Sequence, residues 1–228
     1  MSASTVATTA VARRAGCSGV TMDRREKLLM GLDLSSQEGA EIGALTRPIV
    51  SRADGRIFYI DHVDTQTLRQ KYRGNNLNAE DFVEVDGVWG DSTIAEALGP
   101  DHLVDYIIAS HVVEHVPDLV SWLQELCSVL KPGGTIRLAA PDRRFCFDYR
   151  REDTRVADVL AAHLAHARRP QPREVIDFKL HHTDVDLSAA WDNGGDPVPL
   201  NAFQLDHAFD QARRSAEGAY VDLSLIHI

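Results

Sequence analysis

The segment from Val104 to Asp142 constrains the fold more than any other part of the chain, because its hydrophobic period changes twice within one short run. Asp105 precedes a continuous apolar run, Tyr106-Ile107-Ile108-Ala109, whose length suits a buried strand. Ser110-His111 breaks that run. A helix is expected next, with Pro117 in its first turn, where a missing N–H costs nothing, and Asp118 at the positive end of its dipole. Leu119, Leu123, Leu126, Cys127 and Leu130 recur at helical spacing, and Cys127 reads as a core residue on that face. Lys131 suits the helix end and Pro132-Gly133-Gly134 stops it. Thr135 to Ala140 is a second strand, closed by Pro141-Asp142. Strand, helix and strand with short links form a βαβ unit, with parallel strands and a right-handed crossover. Ligands in such sheets bind beyond the carboxyl ends of the strands, which puts Ser110, His111, Glu114, His115, Pro141 and Asp142 near the functional edge.

Upstream segments extend the alternation. A helix is expected from about Asp23 to Leu32, then a first strand ending near Glu41-Ile42 and a tight turn at Gly43. Arg56 to Ile60 is a second strand ended by Asp61. Asp64 is placed to cap a helix from Thr65 to Tyr72. Phe82 to Val85 alternates and reads as a third strand ending at Asp86, followed by a short helix to about Leu98. The order β-α-β-α-β-α-β calls for an α/β fold: a doubly wound, mostly parallel, Rossmann-like sheet with helices on both faces. Beyond Asp142, helices are expected over Val156–Arg168, with Val159, Leu160 and Leu164 inward, and over Glu174–His181 and Asn201–Glu217. These form an insertion over the mouth of the sheet. His181-His182 is expected in a solvated loop rather than a metal site, since adjacent histidines seldom ligate one ion.

The chain has 228 residues, 44% of them hydrophobic and 25% charged, which suits one soluble domain with a substantial core. A net charge of −10 argues against a nucleic-acid partner held by general electrostatics and favours a basic or neutral small molecule. Three unclustered cysteines, Cys17, Cys127 and Cys146, fit a reducing, cytoplasmic setting. No apolar run approaches the roughly 20 residues of a membrane span, so no membrane partner is expected. Residues 1–21 lack acids and read as a disordered extension, with one folded domain over 22–222. The final Leu223-Ser224-Leu225-Ile226-His227-Ile228 resembles translated sequencing-adapter sequence, so 223–228 is expected to be a non-native tail on a truncated chain.

Glu114-His115-Val116-Pro117-Asp118 followed by Leu130-Lys131-Pro132-Gly133-Gly134 resembles the class I S-adenosylmethionine-dependent methyltransferases, and the likeness spans roughly Gly39 to Asp142. That resemblance implies S-adenosylmethionine as cofactor and methyl transfer to a small-molecule or sugar-bearing acceptor. It implies cofactor-binding roles for Glu41 and Gly43 after strand one, for Asp61 at the ribose, for Asp86 near the adenine, and for Ser110 after strand four. His111 and His115 are the candidate catalytic bases at the same edge, a role needed when the acceptor is a hydroxyl or a protonated amine. The structural alternatives are plain: Glu41 could cap a helix or pair with Arg47, and Asp61 and Asp86 could serve turns. The departure is in the first motif, where the family shows Gly-x-Gly and this chain has Gly43-Ala44-Leu45. Two other functions are weighed: a degenerate binding module without catalysis, which that departure suits, and a nicotinamide oxidoreductase. The second lacks the G-x-G-x-x-G turn a pyrophosphate requires.

Overall fold

The computed structural model describes residues 22–75, 77–143, 146–182, 202–219, 221, 223 and 225. The expectation for 1–21 lies outside the described residues, as does all of 183–201. The domain opens with α1 (Arg24–Leu29), started by a reciprocal capping box between Asp23 and Glu26. β1 (Glu38–Ile42), β2 (Arg56–Asp61), β3 (Gly87–Val88), β4 (Val104–Ser110) and β5 (Leu130–Ala139) form one sheet in the order β3-β2-β1-β4-β5, with all four pairings parallel. α2 (Thr65–Lys71), α3 (Ile94–Leu98) and α4 (Leu119–Ser128) make the crossovers. After β5 come α5 (Val156–Leu164), α6 (Pro172–His181) and α7 (Ala202–Ala216), with α6 packed on α7. Among the described residues no helix is long and apolar enough to cross a membrane.

Period-2 alternation divides the core between the two faces of the sheet. Ala40, Ile42, Ile60, Ile107 and Ala109 pack with Trp122 and Leu126 of α4 on one face. Ile57, Tyr59, Tyr106 and Ile108 pack with Leu28 of α1, Ile49 and Val50 on the other. Both faces are therefore buried, as a doubly wound sheet requires. Gly39 stands opposite Tyr106 in the β1–β4 register, and the Tyr106 ring lies across it. At the amino ends, the Asp105 carboxylate accepts the Glu38 N–H and the Lys131 ammonium, each at 2.8 Å, which ties β1, β4 and β5 together. These two donors hold the Asp105 carboxyl below the usual carboxylate range.

Several elements fall elsewhere than expected. The third strand is Gly87–Val88, not Phe82–Val85: Phe82 is buried, and pairing begins only beside Ile60 and Asp61. α4 starts after Pro117, because Asp118 takes the cap by accepting the Ser121 N–H at 2.9 Å, and a single 3-10 turn, Val113–His115, fills the gap. Its buried residues are Trp122 and Leu126, and Cys127 is exposed rather than in the core. Lys131-Pro132-Gly133-Gly134 loops out of the ladder between the Val104–Leu130 and Tyr106–Thr135 pairs. On α5, Leu160 and Leu164 face solvent rather than the core, at 50% and 80% exposure, and Ala162 is the buried residue. At the chain end Val221, Leu223 and Leu225 are buried in the core on the α4 face.

A methyl group at Gly39 has no room, since a Cβ there would lie 2.0 Å from Cε2 of Tyr106. Gly39→Ala is expected to destabilise the domain by about 1–3 kcal/mol, the usual cost of overpacking. Urea unfolding checks this: the midpoint should fall while the slope stays constant.

Candidate active site

The site grows from one buried carboxylate. Glu41 is 2% exposed, on the face of β1 that carries Tyr59 and Tyr106 on its neighbours. Its oxygens accept the Ile49 N–H at 2.7 Å and the Val50 N–H at 3.0 Å, so the chain after β1 is folded back over the strand. The Tyr59 hydroxyl donates to the Val50 carbonyl at 2.7 Å and fixes the same segment. Burial pushes the Glu41 carboxyl up to about 7, against the opposing pull of the two N–H donors.

That fold-back sets the turn Gly43-Ala44-Leu45 at the carboxyl end of β1. Gly43 has φ +70°, and a Cβ there would meet Val112 Cγ2 at 2.8 Å, so the turn packs directly on the segment after β4. Leu45 stands where the family has its second glycine, and it takes φ +49°, a left-handed conformation costly for a bulky L-residue. The turn thus holds two left-handed residues with only one glycine. After β4, His111 also takes a left-handed conformation, φ +58°, while its N–H extends the ladder to the Ala139 carbonyl at 2.8 Å. Such outliers concentrate at functional sites. His166, at φ +48°, has a simpler origin: with His166 N–H on His163 and Ala167 N–H on Ala162, it closes α5 as a Schellman cap.

A cavity of about 410 Å³ opens at this edge, within the range of small-molecule sites. Its walls are the turns after β1, β2, β3 and β4, the end of α2, the first half of α4 and the turn after α5. Asp61, 5% exposed, lines it from the end of β2 and accepts the His62 N–H at 2.7 Å and the His62 ring Nδ1–H at 2.5 Å. Lys71 Nζ lies 3.3 Å from the His62 Nε2. Trp89 and Gly90 supply the wall after β3. Trp122 lines the far side, and neither indole N–H has an acceptor among the described residues. The turn after α5 closes that side: Arg168 donates to the Ser92 carbonyl at 3.1 Å and lies 3.9 Å from Glu125.

Of the sequence candidates, Gly43, Asp61, His111 and His115 line this cavity. Glu41, Asp86 and Ser110 do not. Asp86 precedes β3 and is drawn to the strand body, where it accepts the Tyr59 N–H at 2.8 Å and Arg52 at 2.7 Å. With strand three displaced, the post-strand position belongs to Trp89-Gly90. The Ser110 hydroxyl is buried with no partner among the described residues. Pro141 and Asp142 lie off the cavity, the Asp142 carbonyl accepting the Cys146 thiol at 3.4 Å. His115 donates from Nδ1 to the Leu223 carbonyl at 3.1 Å. Sequence reasoning missed Trp89, Lys71 and the turn at His166–Arg168. Only Trp89 had a signal: an aromatic between two acidic turn residues, hidden by the misplaced strand.

A second cavity, about 350 Å³, adjoins the first across Val116 and Pro117 and is walled by α5 and α6. Its charges pair internally: the buried Arg151 contacts Asp148 at 3.0 Å and Asp177 at 2.9 Å. At the shared wall the Asp118 carboxylate accepts the Ser121 hydroxyl at 2.6 Å and lies 3.2 Å from His163 Nδ1. Burial alone would raise the Asp118 carboxyl, but these donors bring it below its ordinary value.

Residues 8–179, well over half the chain, match a family model described as a methyltransferase domain. No curated protein is similar enough in sequence to be counted a relative. Solved structures to which the chain shows similarity include the CcbJ methyltransferase of Streptomyces caelestis, at 16% identity over 50% of this chain and 47% of that one, TM-score 0.35. The CurJ carbon methyltransferase shares 16% identity over 81% of this chain and 43% of that one, TM-score 0.36. The plantazolicin methyltransferase BpumL, solved with a pentazolic desmethylPZN analog and SAH, shares 12% over 81% and 73%, TM-score 0.35. The chain spans about half the length of the first of these.

Glu41 makes stability depend on pH in a stated direction. Its folded value, about 7, lies above its ordinary 4.5, so the folded state binds the extra proton. The stabilisation is fully present below pH 4.5 and is lost as pH rises through 7, by at most about 3 kcal/mol. Chemical unfolding at a series of pH values should show this decline in the wild type, and Glu41→Gln should flatten it.

Proposed function

This chain belongs to the methyltransferase-domain family, and on that premise we propose that it transfers the methyl group of S-adenosylmethionine to a small-molecule or sugar-bearing acceptor. The observation that carries the reading is the convergence of four strand ends on one cavity, with the buried Asp61 carboxylate in its wall and the Gly43 turn packed on Val112. Those residues fit the cofactor by their chemistry. A carboxylate accepts two hydrogen bonds from a ribose diol, and Asp61 stands at the carboxyl end of β2. Gly43 would let the cofactor approach its turn closely, and Trp89 would offer an aromatic face to the base. Bound there, the cofactor supplies an electrophilic methyl on a positively charged sulfur. In this reading Glu41 and Asp86 support the walls through their backbone partners rather than touch the ligand.

In this reading the chain's own task is placement, since methyl transfer depends chiefly on holding nucleophile and methyl in line. The acceptor enters from the second cavity, whose paired arginines and carboxylates offer fixed donors and acceptors for a polar or hydroxyl-rich molecule. His111 lines the first cavity as the candidate base, and His115 is held by its bond to Leu223. A cytoplasmic setting matches the unclustered cysteines. Leu45 favours the second reading, a binding module without catalysis, because a leucine occupies the second glycine position of the cofactor turn.

Calorimetric titration with S-adenosylhomocysteine tests the proposal. Saturable binding is expected in the wild type, with at least about 100-fold weaker affinity in Asp61→Ala, since each hydrogen bond to a charged acceptor is worth about 1.5–3 kcal/mol. No saturable wild-type binding sinks the proposal. A methyl-donor site that binds but never transfers to any hydroxylated or amine acceptor favours the binding module.

A further inference from the structure

One buried ionisable side chain at this edge is used by nothing described so far. Glu114 is 4% exposed, in the 3-10 turn between β4 and α4. Its Oε1 lies 3.5 Å from His111 Nδ1 and 3.9 Å from His115 Nε2. Its Oε2 is buried with no hydrogen-bond partner among the described residues. A carboxylate retained for structure is normally satisfied at both oxygens, as Glu41 is by Ile49 and Val50. An under-satisfied buried carboxylate beside an imidazole that lines a cavity has the arrangement of a group that orients a base.

We propose that Glu114 is a positioning residue: its carboxylate holds the His111 ring in the Nδ1–H tautomer and leaves Nε2 to take the proton of the methyl acceptor. This rests on the methyltransferase reading of the cavity. Three features support the assignment to His111 over His115. Glu114 is nearer to His111. The Nδ1–H of His115 is already donated to Leu223. The left-handed backbone of His111, anchored by its N–H on Ala139, holds the ring at the cavity wall. At 3.5 Å the contact is looser than a good hydrogen bond, as catalytic contacts commonly are before substrate fills a site.

The step balances. The acceptor oxygen or nitrogen forms a bond to the methyl carbon as the carbon–sulfur bond breaks, and that bonding pair stays on sulfur. The acceptor's proton passes to Nε2 of His111. The imidazolium so formed lies against the Glu114 carboxylate and later releases its proton to water. Other groups among the described residues also lie near Glu114. His111 and His115 come from its own segment. The Cys146 thiol approaches from the turn after β5, pushed up by burial, then by Asp148, Glu114 and Asp142. The tail reaches it through the Leu225 N–H on the Glu114 carbonyl, and Arg151 is bonded to the Leu225 carbonyl behind.

The test is nitrogen-detected NMR on the full chain with labelled histidine, the His111 signals being assigned by their loss in His111→Asn. The wild type is expected to show neutral His111 as the Nδ1–H tautomer with a bare Nε2. In Glu114→Leu the Nδ1–H preference is expected to be lost in favour of the Nε2–H tautomer. A wild-type ring protonated on Nε2 overturns the proposal, and so does an unchanged tautomer in a folded variant. Should Glu114→Leu fail to fold, the wild-type tautomer decides alone. Titration of the wild type with S-adenosylhomocysteine scores the methyltransferase reading separately, because the His111 tautomer is measurable whether or not that ligand binds.

Discussion

Two backbone N–H groups, those of Ile49 and Val50, end on the buried carboxylate of Glu41, and the geometry of the carboxyl edge descends from that contact. β1 is the central strand, paired on both sides. A chain leaving it could run outward into solvent. The Glu41 carboxylate instead pulls residues 49 and 50 back beneath the strand, where Val50 is wholly buried and its carbonyl takes the Tyr59 hydroxyl. Closing that loop in so few residues forces Gly43 and Leu45 into left-handed conformations and brings Gly43 against Val112. The turn after β1 and the turn after β4 are therefore placed together, by packing rather than by a bridge between side chains.

The same contact explains how the chain manages with one glycine in a turn that has two elsewhere in the family. The left-handed conformation of Leu45 carries a steric cost of about 1–2 kcal/mol. Two backbone hydrogen bonds to a buried carboxylate, with a third from Tyr59, over-determine the loop and offset that cost. What changes is the cavity: a leucine side chain lines a wall that glycine would leave open. The cavity is narrowed there by the Leu45 side chain.

How far the sequence could be read follows from where each residue's role is decided. β1, β2, β4 and β5 were legible because continuous apolar runs ending in Glu41-Ile42, Asp61 and Ser110 are local signals, and the parallel sheet follows from their alternation with helices. Asp61, Gly43 and His111 were legible as edge residues for the same reason. Glu41 and Asp86 stand off the cavity, and the sequence does not show this, because an acidic side chain near a strand end looks alike whether it points to a ligand or back into the sheet. The choice is made by the partner, the N–H groups of Ile49, Val50 and Tyr59, which period and composition do not encode. β3 was misplaced because Phe82 and Val85 alternate as a strand does, while the true two-residue strand is held only by the register of Ile60 and Asp61.

The least legible part of the site is also the part most remote in sequence. His166 and Arg168 reach the cavity because α5 lies across α4, anchored by His163 near Asp118 and Ser121, and the Schellman cap then aims the chain toward Ser92 and Glu125. Nothing local to His166–Arg168 marks it as a wall, since His163 spends its polarity on a helix cap formed by another element. The strand ends thus fix one half of the cavity through the sheet, which is rigid and locally encoded. The helices after β5 fix the other half through a few polar contacts. Binding determinants common to a fold belong on the first half, and those that distinguish one member from another belong on the second. Here the divide between the two halves runs along the turn from His111 to Asp118, where Glu114 sits beneath both histidines.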